Sequence, residues 1–472
     1  MAQVRYEDRM SATDALLWNN ERDPMLRSTI TSVMVLDRPP DEARFRNAVA
    51  RSLARVPRLR QRVVLDPLGA APPRWETDRL FDLDYHVRRV ACPGEGSLRD
   101  LLDLAQPVAM QAFDKDRPLW ELHQVEGLAD GRAAIVIKLH HAVSDGVGLV
   151  RMTSSLVERT READPGRPRR RSVLEEKLEE PEPRSPFDEA IDALRYRAGT
   201  NLRAAGALGR GARELLRRPV EALGAAGQLA GSIGRALRPI SEPMSPIMRG
   251  RSLAVRFDVL ELPLEALKGA ARAAGGTLND AFVGAVTGGL RRYHEHHGRP
   301  VAELRMTMPI NLREGEEGDR AGNQFSPARF AVPLMVEGAA ERMKRIHELV
   351  VRQREEPALP LLEGITGVLS RLPHALQVNL AGSMLKAIDF VTSNVPGPPF
   401  TVYASGARVE RMFGFGPLSG AAANVTLFSY DGTLHLAVNS DPAAVPDPST
   451  FLLCLRGGLG EVLALAGPGG PL

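Results

Sequence analysis

The chain has 472 residues, of which 43% are hydrophobic, so it is long enough for two large domains with sizeable cores. Its 61 basic and 58 acidic residues give a formal charge of +3, which argues against a nucleic-acid-binding protein, because such proteins need a basic excess on one surface. The two cysteines, Cys92 and Cys454, are far apart and fit a reducing cytoplasm, although their number leaves a disulfide open. The N-terminus lacks a signal-peptide pattern, and we find no run of about 18 apolar residues, so we expect any membrane contact to be peripheral.

The first 160 residues alternate between helix and strand patterns, which predicts a layered α/β domain. Ser11 to Asp14 is typical of a helix start, and capping is the simplest role for Asp14. We predict a strand over 28–36, and then two helices, over 40–55 and 97–109. The strand that starts at Trp120, the turn at 129–131 and the next apolar run predict a hairpin. A tryptophan in such a strand is more often part of the core than of a site.

The run AAIVIKLHHAVSDGVGLV, from Ala133 to Val150, begins as a strand and ends in two histidines. Successive strand side chains point to opposite faces, so His140 and His141 cannot bind one metal ion from a regular strand. Asp145 and the glycines after it, from Gly146, are typical of a sharp turn, and we predict a helix after Gly148 that runs to about residue 158. By residue type alone, a histidine at a strand end is more often structural than catalytic.

Residues 159–186 carry charge blocks and prolines that are typical of a linker. Residues 195–251 include eleven arginines and only three glutamates, interleaved with apolar residues. This pattern suits an interfacial helix on anionic lipid and equally suits a solvated connecting helix. Both interpretations stay open at this stage.

A second domain is predicted from about Ser252. A strand over 253–260 and a helix over 263–274 precede a long helix that Thr277 can cap, with Asp280 in its first turn. Later patterns predict strands over 305–313 and 322–334, helices over 339–354 and 360–385, a hairpin that turns at Asp431-Gly432, and a last helix over 448–466. The histidines near residue 296 lack the further ligands that a metal site needs.

Several of these segments together resemble the bacterial wax ester synthase/diacylglycerol acyltransferase family, whose members are coenzyme-A-dependent acyltransferases. HHAVSDG matches the HHxxxDG motif, and DRPLWELHQVEGL before it resembles the family's PLW segment. TLNDAF, GNQFSPARF and SNVPGP, at Thr277, Gly322 and Ser393, resemble later family blocks in family order. One block departs from the pattern, since Asn311 in PINLR stands where the family has a serine-like residue.

This resemblance implies an α/β fold of two mixed-sheet domains, similar to chloramphenicol acetyltransferase, with the active site at the domain interface. The domains would be 1–160 and 252–472, joined by the charged linker with helices at 161–251. The expected catalytic residues are His141 as general base, supported by His140, Asp145 and Asn279. The expected substrate-binding residues are Gly146, Trp120, Asp280, Asp14, Ser393 and Asn394.

The resemblance also implies the reaction: transfer of an acyl group from acyl-CoA to a long-chain alcohol or to diacylglycerol, giving wax esters or triacylglycerol. No cofactor or metal is expected, because acyl-CoA is a substrate, and no nucleic acid is expected as a partner. The expected location is the cytoplasm, at the inner membrane surface or on lipid droplets. The alternatives are an acyltransferase or condensation-type enzyme acting on another alcohol, and a catalytically silent lipid-surface protein. A serine hydrolase fits poorly, because GPLSG at Gly416 has its serine out of place for a nucleophile elbow.

Overall fold

The computed structural model describes residues 6–66, 71–144, 154–162, 185–217, 242–311, 325–355 and 374–467. Helices and strands alternate along these ranges, and most of the strands form two six-stranded sheets. The expected α/β fold with mixed sheets is therefore confirmed.

The elements of the first half follow the predicted order. They are α1 (Ala12–Asn20), β1 (Thr29–Leu36), α2 (Glu42–Arg55), β2 (Gln61–Val64), β3 (Arg74–Thr77), α3 (Leu83–His86), β4 (Val87–Ala91), α4 (Leu98–Met110), β5 (Trp120–Glu126) and β6 (Ala133–His140). The helix starts are capped as expected, because the Ser11 hydroxyl accepts a hydrogen bond from the Asp14 N–H at 3.0 Å. The predicted β5–β6 hairpin is also present, as an antiparallel pair.

The rest of the chain begins with a long helix in the charged linker. Its elements are α5 (Pro186–Arg217), β7 (Arg256–Pro263), α6 (Leu264–Ala273), α7 (Leu278–His296), β8 (Glu303–Asn311), β9 (Phe325–Pro333), α8 (Ala339–Arg354), α9 (His374–Lys386), β10 (Phe390–Pro396), β11 (Tyr403–Ala404), β12 (Ala407–Phe415), β13 (Ala423–Tyr430), β14 (Thr433–Ser440) and α10 (Pro448–Leu463). The prediction of a strand over 253–260 was wrong by three residues at each end, since β7 runs over 256–263.

The first sheet has the strand order β11-β12-β1-β6-β5-β4, so two of its strands come from the second half of the chain. β12 pairs antiparallel with β1, with Ser32 opposite Gly414 and Met34 opposite Met412. Without it, this edge of β1 would expose unpaired backbone groups. The expected boundary at residue 252 therefore does not separate the two sheets.

The second sheet has the order β7-β14-β13-β10-β8-β9 and includes parallel pairs of β10 with β8 and β13. The β13–β14 hairpin turns at Asp431 and Gly432, which have φ values of 45° and 79°. Positive φ at both central residues is the mark of a type I′ turn, so the hairpin prediction is confirmed.

The last helix carries the most apolar long stretch among the described residues. Pro448–Ala466 has the length and mean hydropathy, 1.4, of a membrane-spanning helix, although Arg456 and Glu461 interrupt its apolar sequence. In the structure, α10 packs on α7 so closely that a Cβ on Gly458 would meet the Ala285 carbonyl oxygen at 2.2 Å. This contact is typical of a core helix.

Segment 154–162 differs from its prediction. A helix to about residue 158 was expected, but Ser154 onward forms a turn and then a β-bridge between Glu158 and Tyr403. Pairing with Tyr403, the first residue of β11, overrides the local helical pattern. The helix expected from Gly148 lies partly outside the described residues.

Candidate active site

A cavity of about 980 Å³ lies between the two sheets. Its walls come from one face of α1, from β1, β6 and β12 of the first sheet, and from β8 and β10 of the second. The wall is largely apolar, with Leu16, Ile30, Met34, Ile137 and Met412 among its residues. A volume of this size is at the upper end of the range for small-molecule binding sites.

His141 lines this cavity just beyond the end of β6. Its backbone N–H donates to the Ser28 carbonyl oxygen at 2.8 Å, which fixes the residue beside the start of β1. Ile137 lines the same cavity, so His141 lies on the side of β6 that faces the cavity. The structure thus places an imidazole of intermediate exposure at the junction of both halves of the chain.

His140 points the other way and is fully buried. Its Nδ1 accepts the Ala142 N–H at 3.0 Å, so the ring proton must sit on Nε2, which lies 3.0 Å from Glu21 Oε1. The rings of Trp18 and Phe113 meet the imidazole edge-on at 5.9 and 6.0 Å. These contacts keep His140 buried and away from the cavity wall.

Glu21 is the acidic partner that holds this histidine. Burial opposes ionisation of its carboxyl, but the nearby His140 ring and the positive charge of Lys115 lower its pKa below the ordinary value. The carboxylate also accepts from the Ser28 N–H at 3.4 Å. Glu21 therefore connects the histidine pair to the start of β1.

The cavity face of α1 explains why Asp14 is not part of the site. Thr13, Leu16, Leu17 and Asn20 line the cavity, and their spacing of three and four residues marks one helical face. Asp14 is buried on another face, where its charge acts on the guanidinium of Arg58. The expectation that Asp14 contacts substrate is corrected by this placement.

Asn279 and Asp280 lie on the helix that covers the second sheet on the side away from the cavity. The Asn279 side chain contacts Met308 Sδ at 3.7 Å, and Met308 belongs to the helix-covered core, whereas Thr307 and Pro309 face the cavity. Asp280 accepts from Thr277 and from His347, as a capping residue. The structure therefore does not bring either residue to His141, contrary to the sequence-based expectation.

Two of the other expected residues do lie at the cavity. Ser393 and Asn394 of the SNVPGP block line it from β10. Trp120 does not, because it is buried with its Nε1 donating to the Leu59 carbonyl at 2.8 Å and its ring stacked on His86 at 4.6 Å. Asp145 and Gly146 lie outside the described residues.

The structure adds polar residues that were not among the expected site residues. Ser28 and Ser419 both line the cavity, with their hydroxyl oxygens 3.5 Å apart, and Asn424 donates to the Pro417 carbonyl at 2.8 Å. Their positions depend on pairing between distant strands, so no local motif could reveal them. Ser419 belongs to the GPLSG segment. It lies close to Ser28, whose carbonyl oxygen accepts from the His141 N–H.

Over the described ranges, histidine, cysteine and carboxylate side chains form no group of three that could hold a metal ion. His294 is buried instead, with its Nε2 2.8 Å from the Ser245 hydroxyl. Cys92 and Cys454 are not bonded to each other.

The sequence matches two family domains. Residues 10–282 match the wax ester synthase/diacylglycerol acyltransferase catalytic domain, and residues 321–462 match the C-terminal domain of the same family. A putative diacylglycerol O-acyltransferase of Mycobacterium tuberculosis is 39% identical over 99% of this chain and 94% of its own length. A probable diacylglycerol O-acyltransferase of the same organism, tgs2, is 32% identical over 84% of each chain.

Solved structures show the same fold. The wax ester synthase/diacylglycerol acyltransferase from Marinobacter aquaeolei VT8 superposes with a TM-score of 0.63 at 22% identity, covering 97% of this chain and all of that one. The first condensation domain of the calcium-dependent antibiotic synthetase gives 0.60 at 18% identity, covering 98% and 96%. With two matching domains and relatives above 30% identity, this chain belongs to the wax ester synthase/diacylglycerol acyltransferase family of acyltransferases.

Proposed function

We propose that the protein transfers a long-chain acyl group from acyl-CoA to the hydroxyl group of diacylglycerol or of a long-chain alcohol, with His141 as general base. The observation that carries this proposal is the position of His141 on the wall of a largely apolar cavity of about 980 Å³. A cavity of that size and character suits acyl chains. The relatives named diacylglycerol O-acyltransferases support diacylglycerol as an acceptor.

In this reaction the His141 imidazole takes the proton of the acceptor hydroxyl as its oxygen attacks the thioester carbonyl. A tetrahedral oxyanion forms, and the hydroxyl groups of Ser28 and Ser419 at the cavity wall are our candidates to donate hydrogen bonds to it. The carbon–sulfur bond then breaks, and the departing CoA thiolate takes the proton from the imidazolium. The ester product and free CoA remain, so the step needs no cofactor.

We place the reaction in the cytoplasm, where acyl-CoA is available, at the surface of a membrane or lipid droplet. α5 supports contact with lipid, because Phe187, Leu194 and Leu202 on it are 72%, 55% and 74% exposed. Arg195 and Arg197 are exposed on the same helix and suit anionic headgroups. α5 is attached to the first half through an ion pair of 2.5 Å between Arg9 and Asp192.

The test offers purified protein palmitoyl-CoA with hexadecanol, with dipalmitoylglycerol, or with neither, and follows free CoA and lipid product. Ester formation with hexadecanol alone would establish wax synthesis, and ester formation with dipalmitoylglycerol would establish triacylglycerol synthesis. Thiol release without acceptor would identify a thioesterase. No release under any condition would contradict the proposal and favour a silent lipid-surface protein.

Leu17 offers a test of where the acyl chain lies. It lines the cavity from α1, so Leu17→Trp should fill part of the apolar space and reduce the preference for long over short acyl-CoA by about tenfold. The measurement is the ratio of kcat/KM for palmitoyl-CoA and octanoyl-CoA. Leu80→Trp is the matched control, because Leu80 is 83% exposed and outside the cavity wall. An unchanged ratio in Leu17→Trp would show that acyl chains do not contact α1.

A further inference from the structure

One end of the cavity opens to solvent and carries charged residues. Arg55 at the end of α2, Arg159 and Glu162 line this opening and are exposed. Phe400 also lines it and is 39% exposed, with the Arg159 guanidinium 4.4 Å from the centre of its ring. The opening therefore combines two arginines with an accessible aromatic ring.

The charges at this opening do not balance. Glu158 is already paired with Arg44 at 2.5 Å and with Arg51 at 3.6 Å. Across the part of the chain that the structure describes, neither Arg55 nor Arg159 has a carboxylate within 4.0 Å. Since Glu162 supplies one negative charge against these two arginines, the opening has an excess of positive charge that suits an anionic ligand.

Arg159 is held on a fixed piece of backbone. On one side of it, Glu158 and Tyr403 exchange two backbone hydrogen bonds of 2.7 and 2.8 Å. On the other side, Arg161 binds the carboxylate of Asp37 at 2.6 Å. These contacts fix the backbone on both sides of Arg159. Little backbone ordering is therefore needed when Arg159 binds a ligand.

The distance between this opening and His141 suits an extended linker. β1 starts beside the histidine pair, where Thr29 is opposite His140, and its last residue on the cavity wall is Met34. The five residue steps from Thr29 to Met34 span about 17 Å. The pantetheine arm of CoA has roughly the length of four extended residues, about 15 Å, before its diphosphate begins. An arginine side chain reaching into the opening can cover the remainder.

We propose that this opening is the binding site for the nucleotide end of acyl-CoA: Arg55 and Arg159 bind its phosphate groups, and Phe400 packs against its adenine ring. Arginine presents paired N–H donors that match phosphate oxygens, and bases stack on exposed aromatic rings. The pantetheine arm then runs along the first sheet to bring the thioester to His141. This inference rests on the proposed function, since it assigns the position of that reaction's donor.

The experiment compares dodecanoyl-CoA with dodecanoyl-N-acetylcysteamine, a thioester that has neither phosphate nor adenine. In the double variant Arg55→Ala/Arg159→Ala, we expect KM for dodecanoyl-CoA to rise about tenfold or more, while kcat changes less than about twofold. KM for the short thioester should stay unchanged. Arg46→Ala is the matched control, because Arg46 lies on α2, is exposed, pairs with Asp84 at 2.8 Å and does not line the cavity.

A second measurement identifies the anion. Adenosine 3′,5′-bisphosphate should compete with dodecanoyl-CoA in the wild type and lose this effect in the double variant. Competition by phosphatidylglycerol vesicles but not by the bisphosphate would overturn the proposal in favour of a lipid headgroup. An equal rise in KM for both thioesters, or none for dodecanoyl-CoA, would also overturn it. If the wild type transfers no acyl group, the proposed function fails, whereas calorimetric binding of the bisphosphate still decides whether the arginines hold a nucleotide.

Discussion

Replacing His141 with alanine is expected to lower kcat by about 10²-fold or more and to leave the fold intact. The expectation follows from its position, because the side chain lines the cavity and the contact that fixes it to Ser28 is made by the backbone N–H. Alanine keeps that N–H and removes only the imidazole. Steady-state rates with palmitoyl-CoA and the acceptor found active, together with thermal unfolding, provide the measurement.

His140→Ala is the informative comparison for this variant. Since His140 is fully buried and bonded to Glu21 and Ala142, its loss should lower stability as well as activity. If His141→Ala retained kcat within a factor of about two, the general-base assignment would be wrong.

Replacing Glu21 with alanine is expected to lower the free energy of unfolding by about 2–3 kcal/mol, and kcat along with it. The buried His140 ring would lose the carboxylate that lies 3.0 Å from its Nε2, and the Ser28 N–H would lose its acceptor beside His141. Urea denaturation gives the stability change, and initial rates at saturating substrate give kcat. Glu126→Ala is the control, because Glu126 pairs with Arg89 on an exposed part of the surface, where a salt bridge contributes at most about 1 kcal/mol.

The pH dependence of stability supplies a separate readout for Glu21. Its pKa is lower in the folded than in the unfolded state, so its ionised form stabilises the fold above the ordinary carboxyl pKa. This stability should be lost as the pH falls through the lowered pKa of the folded state. Glu21→Gln, which keeps an oxygen acceptor, should unfold with a weaker dependence on pH in that acidic range. A pH dependence identical to that of the wild type would contradict the assigned role.

The sequence was most informative where the chemistry is local. The capping pattern at Ser11, the turn at Asp431-Gly432 and the strand that ends at the histidine pair depend on neighbouring residues, and the structure confirms all three. The opposite directions of His140 and His141 also followed from strand geometry alone. These features need no knowledge of distant contacts.

The errors concern features that only tertiary packing decides. Asn279 follows a helix cap, and the sequence does not say which side of the second sheet that helix covers. In the structure the helix covers the face that carries Met308, away from the cavity. Glu21 was likewise not predicted as a site residue, because its partner His140 lies more than a hundred residues later in the chain. A pair so distant leaves no local pattern.

The position of β12 beside β1 has a consequence for synthesis of the protein on the ribosome. Leu36 ends β1 and Ala407 begins β12, so 370 residues lie between the two strands in the chain. At roughly 5–20 residues per second, β1 has left the ribosome about 20–70 s before its partner strand is made. During that interval one edge of an apolar strand is open to pairing with other chains. Nascent chains of this protein should therefore depend on chaperones that shield this edge until β12 arrives.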